Sequence, residues 1–252
     1  FPPGGPTPAR GGGEWKARQS FTRTGKGPGA AISGACMALP PPSPEQEVAL
    51  AAWRAGRDQV VTAAAGSGKS TLLLHACACV PDEDVVVIAY NKPLATDMVL
   101  RLAEAGLHRA RCFTFHGLAS HVYRLTPDDV TMHEVVSEVE SGALRPATQV
   151  RATRICLDEV QDMRNVFHRL LATIFDLRAV QWLLVGDPAQ MLYDYDDEDP
   201  ALLEFCQTPE RHFRNEGEWV RSRLSVSFRS TPPVVTLANA RPHARGAPPV
   251  PR

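Results

Sequence analysis

Short apolar runs alternate with segments of helical periodicity along most of the chain. The candidate strands are the runs at 59–62, 85–90, 111–114, 153–157, 181–185 and 224–226. Between two of them, Phe167, Leu170, Leu171 and Ile174 recur at the spacing of one helix face, which indicates a helix packed on a core. Strands that alternate with helices are typical of a parallel sheet covered by helices. The pattern therefore predicts an α/β fold.

Both ends of the chain depart from this pattern. Residues 1–42 are rich in Gly and Pro without periodicity, and 241–252 repeat that composition, so we expect two disordered tails. The domain between them is predicted to span 43–223, with a less regular stretch at 117–152 that we expect to be a helical insertion. Residues 224–240 then form either the start of a second domain or the last strand and helix of the first.

Composition narrows the class of protein only a little. The 252 residues contain 44% hydrophobic and 22% charged side chains, which is enough for one α/β domain with tails. The net charge of -1 neither supports nor excludes nucleic acid as a partner, because a channel can be basic on one face only. No apolar run approaches the roughly 20 residues of a membrane span.

Cysteine usage and the first residue give two further expectations. The six cysteines lack zinc-binding spacing, so we interpret them as reduced thiols of an intracellular protein, nuclear if the source is eukaryotic. The chain begins with Phe1 and not with Met, which suggests an incomplete chain.

A glycine-rich turn follows the strand at 59–62 and precedes an apolar helix. Residues 63–70 read Ala-Ala-Ala-Gly-Ser-Gly-Lys-Ser, a phosphate-binding loop in its proper strand-to-helix context. The glycines let backbone N–H groups close around phosphates, Lys69 reaches the β and γ oxygens, and the Ser70 hydroxyl is a ligand for Mg²⁺. A flexible glycine turn is the alternative. The predicted ATP contacts are Ala65, Gly66, Ser67, Gly68, Lys69, Ser70 and Thr71.

Two carboxylates end the strand at 153–157. Asp158 and Glu159 should lie at the carboxyl edge of the sheet, where the phosphate loop also lies. Asp158 can hold Mg²⁺, and Glu159 can accept a proton from the water that attacks the γ-phosphate. Acids after a strand are common on protein surfaces, but the loop upstream favours the functional interpretation.

The residues at 158–162, Asp-Glu-Val-Gln-Asp, resemble the D-E-x-Q-D box of the UvrD/Rep helicases of superfamily I. Other boxes of that family follow in its order: Gln46 resembles the Q motif, 90–92 motif Ia, 114–117 motif Ib, 185–193 motif III and 227–230 motif IV. The Ia, Ib and IV stretches resemble the F-box DNA helicase branch in particular. The resemblance implies a RecA-like P-loop NTPase domain.

The resemblance also implies roles for individual residues. Gln46 and Phe228 contact adenine, and the catalytic set is Glu159, Gln190 and Arg229, the last two on the γ-phosphate. Single-stranded DNA is contacted by Asn91, Lys92, Thr114, Phe115, His116 and Tyr193. The function implied is ATP hydrolysis coupled to translocation on single-stranded DNA, in repair or recombination.

Each matched residue has a plainer alternative. Gln46 follows Ser43 at capping-box spacing, and Asn91 can cap the helix that starts at Lys92. Phe115 can be a core residue, and His116 a structural residue of its loop. Arg229 could lie on the surface without a role, but its position after Phe228 favours the phosphate contact.

The resemblance breaks in two places. Residues 194–199 are an acidic run, with Asp196 where the family has Arg, which disfavours DNA at that point. Motifs V and VI are absent, so we do not expect these residues alone to unwind DNA, because unwinding needs two domains that close on each other. A P-loop phosphotransferase of another class and a nucleotide-binding remnant without turnover are the competing hypotheses.

Overall fold

The computed structural model describes residues 39–190, 204–213 and 218–228, all of which belong to one compact unit, Cys36–Arg252. Several predictions lie outside the described residues. They concern most of the amino-terminal tail, the carboxy-terminal tail, the acidic run at 194–199, Tyr193 and Arg229.

The described residues form a six-stranded sheet in which every pair of neighbouring strands is parallel. The strands are β1 (Gln59–Ala63), β2 (Val85–Ile88), β3 (Ala110–Phe113), β4 (Arg154–Leu157), β5 (Gln181–Gly186) and β6 (Val220–Leu224). Their order across the sheet is β3-β2-β4-β5-β1-β6. The prediction of a RecA-like α/β fold with a parallel sheet is confirmed.

The last strand differs from the prediction. We predicted it at 224–226, whereas β6 ends at Leu224 and pairs along its whole length with β1. The reason is that β6 is an edge strand whose exposed positions are Arg221 and Arg223, so it carries no continuous apolar run. Residues 225–228 follow it as an irregular segment.

Helices connect the strands. They are α1 (Pro44–Arg54), α2 (Lys69–Ala78), α3 (Lys92–Glu104), α4 (Phe115–Tyr123), α5 (Met132–Glu140), α6 (Asn165–Ile174), α7 (Glu204–Gln207) and α8 (Pro209–His212), with short 3₁₀ turns at Val160–Asp162 and Pro188–Gln190. The helices α4 and α5 lie almost wholly within 117–152. No helix in the described part of the chain has the length and apolar character needed to cross a bilayer.

Two hydrophobic clusters cover the two faces of the sheet. Side chains alternate between them along the strands β1 to β5, so that Val86 and Ile88 belong to one cluster and Val85 and Val87 to the other. The helices α4, α5 and α6 pack in the first cluster, and α1, α2 and α3 in the second. The predicted helix face around Phe167 is part of the first cluster. Because both faces of the sheet are covered, its polar groups are accessible mainly where the strands begin and end.

Candidate active site

The phosphate loop connects β1 to α2. Gly66 and Gly68 have φ angles of 72° and 86°, a left-handed conformation that favours glycine. Gly68 is also the N-cap of α2, and no side chain of the described residues caps that end. The N–H groups of the first turn therefore remain available to an anion, in a loop shaped as a phosphate cradle.

The acid pair meets this loop at the carboxyl edge of the sheet. The Nζ atom of Lys69 lies 3.1 Å from Oε1 of Glu159, and the two side chains are 13% and 21% exposed. β1 and β4 are not neighbours, because β5 lies between them. The loop after β1 and the acids after β4 therefore approach each other across the end of β5, as the sequence predicted.

Asp158 is a buried carboxylate. Burial and the neighbouring Glu159 charge raise its pKa, Lys69 opposes both, and the net pKa is about 7. Asp158 accepts a 3.0 Å hydrogen bond from the backbone N–H of Glu159, whose φ of 50° is rare for a residue other than glycine. The environment of Asp158 thus disfavours its charged form, and a cation beside it would reverse that preference.

The donors at this point fit Mg²⁺. The Ser70 hydroxyl and the Asp158 carboxylate would offer oxygen ligands, which Mg²⁺ prefers. Among the described residues there is no group of three or more His, Cys, Asp or Glu that could hold a metal ion. Mg²⁺ suits such a sparse site, because it is usually bound by one or two protein oxygens together with water and substrate phosphates.

Gln46 supports the loop from α1. It completes the capping box with Ser43, so the capping alternative is confirmed. Its Nε2 atom also donates to the Gly68 carbonyl at 3.1 Å. A Cβ atom on Gly68 would lie 2.9 Å from the same nitrogen, so the glycine is needed for this close approach. Gln46 thus contacts the phosphate loop directly, whether or not it also contacts a base.

The segment 225–228 is bound to the phosphate loop. The hydroxyl of Ser227 donates to the Ala65 carbonyl, and the backbone N–H of Phe228 donates to the Gly66 carbonyl, both at 2.9 Å. Phe228 is 66% exposed. The structure therefore places Phe228 beside the loop with its ring accessible.

Glu45 anchors the same segment, a contact that sequence reasoning missed. Its carboxylate accepts hydrogen bonds from the backbone N–H of Ser225 at 2.7 Å and from the Ser225 hydroxyl. Burial raises the pKa of Glu45, but the bonds from Ser225 outweigh it and the net shift is downward. No local pattern relates two residues so far apart along the chain.

Gln190 does not contact the acid pair. Its side-chain amide donates to the carboxylate of Asp187, the residue just before its 3₁₀ turn, and Gln190 is exposed. The side chain that joins this turn to the acid pair is Gln161, which accepts from the Asp187 N–H at 3.0 Å and donates to Glu159 at 3.0 Å. In the sequence, Gln161 stood out only as one letter of the D-E-x-Q-D box.

A cavity of about 610 Å³ opens at the ends of β2 and β3. Four of the residues predicted to contact DNA line it: Asn91, Lys92, Thr114 and His116. Asn91 and Thr114 are also N-caps, since their side chains accept from the N–H groups of Leu94 and Gly117 at 3.0 Å. The capping role of Asn91 is confirmed, and the cavity brings the Ia and Ib motifs together.

Phe115 lies outside this cavity. It is 6% exposed, and its ring stacks on Phe167 with centroids 4.4 Å apart. The structure favours the core alternative over a base-stacking role, because a base must reach at least one face of the ring and Phe115 is almost fully buried. His116 Nε2 lies 3.3 Å from Asp129 Oδ1, a contact that suits a structural role for this histidine.

Comparison with known proteins places the chain in a family. A family profile described as an AAA domain matches residues 46–196, which is more than half of the chain. The chain belongs to this AAA domain family. An ATP-dependent helicase/nuclease subunit of Lactobacillus helveticus (strain DPC 4571) is 30% identical to it over 111 residues, which are 43% of this chain and 9% of that protein. The AAA domain of the chain is a nucleotide-binding, helicase-like ATPase domain, and the superfamily I resemblance is confirmed at that level.

Two solved structures are also similar to the chain. The Pif1 helicase from Candida albicans has a TM-score of 0.45 at 16% identity, covering 73% of this chain and 40% of that one. The Pif1 of Bacteroides sp in complex with ADP-AlF4 has a TM-score of 0.44 at 17% identity, covering 77% and 44%. The chain therefore spans less than half the length of these proteins and about a tenth of the curated relative.

Proposed function

We propose that this domain hydrolyses ATP in the presence of Mg²⁺ and couples hydrolysis to translocation on single-stranded DNA, in repair or recombination. The observation that carries the proposal is the 3.1 Å approach of Lys69 to Glu159 beside the buried Asp158, at the mouth of a phosphate loop. We propose 43–223 as the ATP-binding domain.

The chemistry follows from the positions of these groups. Backbone N–H groups of residues 65–71 bind the phosphates, Lys69 contacts the β and γ oxygens, and Ser70 and Asp158 hold Mg²⁺. When bound, the metal ion offsets negative charge on the phosphates. Glu159 accepts the proton of the attacking water, once phosphate oxygens compete for the ammonium group of Lys69.

Adenine is proposed to bind between Gln46 and Phe228. The exposed Phe228 lies near Gly68, where its Cδ2 atom would be 3.9 Å from an added Cβ, and Gln46 Nε2 would be 2.9 Å from the same Cβ. Arg229 follows directly as the proposed contact to the γ-phosphate, on the resemblance to motif IV.

Single-stranded DNA is proposed to bind at the cavity that Asn91, Lys92, Thr114 and His116 line. Two observations support this position. The cavity opens at the same edge of the sheet as the nucleotide site, since β2 is the neighbour of β4, and Lys92 is exposed there as a contact for phosphates. Gln190 and Tyr193 are proposed to couple the two sites, as the resemblance to motif III implies.

Steady-state ATP hydrolysis with and without a single-stranded oligonucleotide tests the proposal. We expect Mg²⁺-dependent turnover that DNA stimulates, and its loss in Lys69→Ala. Arg101→Ala removes one positive charge from α3 and serves as the control. Turnover that DNA leaves unchanged would favour another class of phosphotransferase, and nucleotide binding without any turnover would favour a remnant.

A further inference from the structure

One buried amide joins the ends of β4 and β5. Gln161 is 1% exposed, and its Nε2 donates to Glu159 Oε2 and to Asp162 Oδ2, each at 3.0 Å. Its Oε1 accepts from the backbone N–H of Asp187 at 3.0 Å. Both hydrogens of the amide nitrogen and one lone pair of the oxygen are therefore used.

The partners determine the orientation of this amide. Rotating it by 180° would place its oxygen against the two carboxylates and its NH₂ group against the N–H of Asp187. Both arrangements are repulsive, so the contacts demand a side chain that donates twice on one side and accepts on the other. Glutamine meets this demand, whereas Glu lacks the donors and Met lacks both functions.

The end of β5 packs directly on the amide. A Cβ atom on Gly186 would lie 2.4 Å from Gln161 Oε1 and 3.0 Å from Val160 Cγ1. A side chain at this position would displace the amide, because neither of these atoms has space to retreat in a buried turn. Glycine at position 186 thus leaves the space that the side chain of Gln161 occupies.

The two oxygens of Glu159 have different partners. Oε1 faces Lys69 and Oε2 accepts from Gln161. A nucleotide phosphate would compete for Lys69 but not for the buried amide, so the bond to Gln161 would persist. The same amide is bonded to Asp187, whose carbonyl and carboxylate both accept from Gln190.

We propose that Gln161 is a positioning residue, which orients the Glu159 carboxylate for hydrolysis and links it to the turn at Pro188–Gln190. This inference rests on the proposed role of Glu159 as the general base. It adds a residue that acts through Glu159 and touches no nucleotide.

The test compares the full chain with Gln161→Met and Gln161→Glu. Gln59→Met is the matched control, because Gln59 is also fully buried but begins β1 at the opposite edge of the sheet. In both Gln161 variants we expect kcat to fall by about 10- to 100-fold, the range typical of a lost supporting hydrogen bond at an active site. The KM for ATP and the affinity for ADP should stay within about twofold, and the affinity for ADP with aluminium fluoride should fall.

Hydrogen exchange at the Asp187 amide gives a readout that does not depend on activity. Gln161→Met should reduce its protection by about fivefold or more, because the acceptor is lost. Gln161→Glu should keep the protection, because a carboxylate still accepts this bond. Added to Glu159→Gln, Gln161→Met should cost little further turnover, since both act through the same carboxylate.

The outcomes separate the inference from the proposed function. A wild-type chain without turnover would refute the proposed function, and the inference with it. A wild-type chain that hydrolyses ATP, with kcat unchanged in both Gln161 variants, would overturn the inference alone. If Gln161→Met does not fold, Gln161→Glu and Gly186→Ala decide the matter, because each disturbs the amide contacts and each is expected to lower kcat.

Discussion

Strand β4 begins with one buried charged residue, Arg154, and is followed directly by another, Asp158, and the two behave differently. At its start, Arg154 donates to both carboxylate oxygens of Glu83 at 2.7 and 2.8 Å and to the Trp53 carbonyl at 2.6 Å, with its guanidinium over the Trp53 ring. At its end, Asp158 has a pKa raised to about 7 by burial. The first charge is matched by its protein partners, while among the described residues the Glu159 N–H and the charge of Lys69 offset the burial of the second only in part.

This difference separates a structural charge from a functional one. Removing one partner of a buried, matched charge destabilises the fold, whereas a buried charge whose pKa is strongly shifted is a candidate for a binding site. Substitutions at the amino edge of the sheet, where the strands begin, and at the carboxyl edge, where they end, should therefore change different observables. Those at the carboxyl edge should change turnover, and those at the amino edge should change the free energy of unfolding.

The largest effect is expected at the carboxyl edge. Glu159→Gln should lower ATP turnover by roughly 10² to 10⁴ while ATP binding is retained, because the general base is lost and the shape is kept. Steady-state kinetics and nucleotide titration measure the two quantities. Glu83→Gln is the same change at the amino edge and should leave turnover unaltered. Normal turnover in Glu159→Gln would reject its role as the base.

The next effect is expected at the amino edge. Arg154→Met should lower the free energy of unfolding by about 2 to 3 kcal/mol, because it breaks a partly buried ion pair and leaves the Trp53 carbonyl without this donor. Urea denaturation measures it, and the affinity for nucleotide should not change. A weaker nucleotide affinity without a loss of stability would show that the two edges are not separate.

The pH dependence of stability should sharpen the same contrast. The hydrogen bonds from Arg154 lower the pKa of Glu83 below its ordinary value of 4.5. The unfolded chain then binds the proton more readily than the folded chain. The stabilising contribution of Glu83 is therefore fully present above its ordinary pKa and is lost as the pH falls through its lowered pKa. Urea midpoints should fall on acidification, and Arg154→Met should show a smaller fall. An equal fall in both proteins would contradict the assignment.

A smaller effect is expected at the cavity. If Lys92 contacts a phosphate of single-stranded DNA, Lys92→Ala should reduce the slope of log affinity against log salt by about 1, for every DNA sequence alike. Fluorescence anisotropy at several salt concentrations gives the slope. Arg101→Ala should leave the slope unaltered. If Lys92 merely lies in solvent, Lys92→Ala should leave it unaltered as well.

The smallest effect concerns a residue with two roles. Asn91→Ala should destabilise α3 by about 1 kcal/mol, because the cap of its first turn is lost. Asn91→Ser keeps a capping oxygen, so thermal unfolding should return close to the wild type. If Asn91→Ser retains stability but binds DNA more weakly, the cap and the DNA contact are separate functions of one side chain. If Asn91→Ser binds DNA as tightly as the wild type, helix capping is the only role of Asn91 that these measurements support.

Local pattern accounts for much of what could be predicted. The apolar runs identified β1, β2, β4 and β5, since these strands are largely buried on both faces, and also the half-buried β3. The loop at 63–70 was identified because its residues are contiguous. β6 was misplaced because an edge strand with exposed arginines has no apolar run. Phe115 shows a second limit of sequence-based prediction. Its sequence context is the same whether its ring faces DNA or packs on Phe167, so the sequence does not decide between the two.

The chain's own residues thus specified a parallel α/β fold, a phosphate loop and an acid pair, because each of these depends on neighbours within a few positions. The contacts of Glu45 with Ser225, of Gln161 with Asp187, and of Arg154 with Glu83 came from folding alone. They join residues far apart along the chain, and the strand order that brings such residues together depends on how whole elements pack.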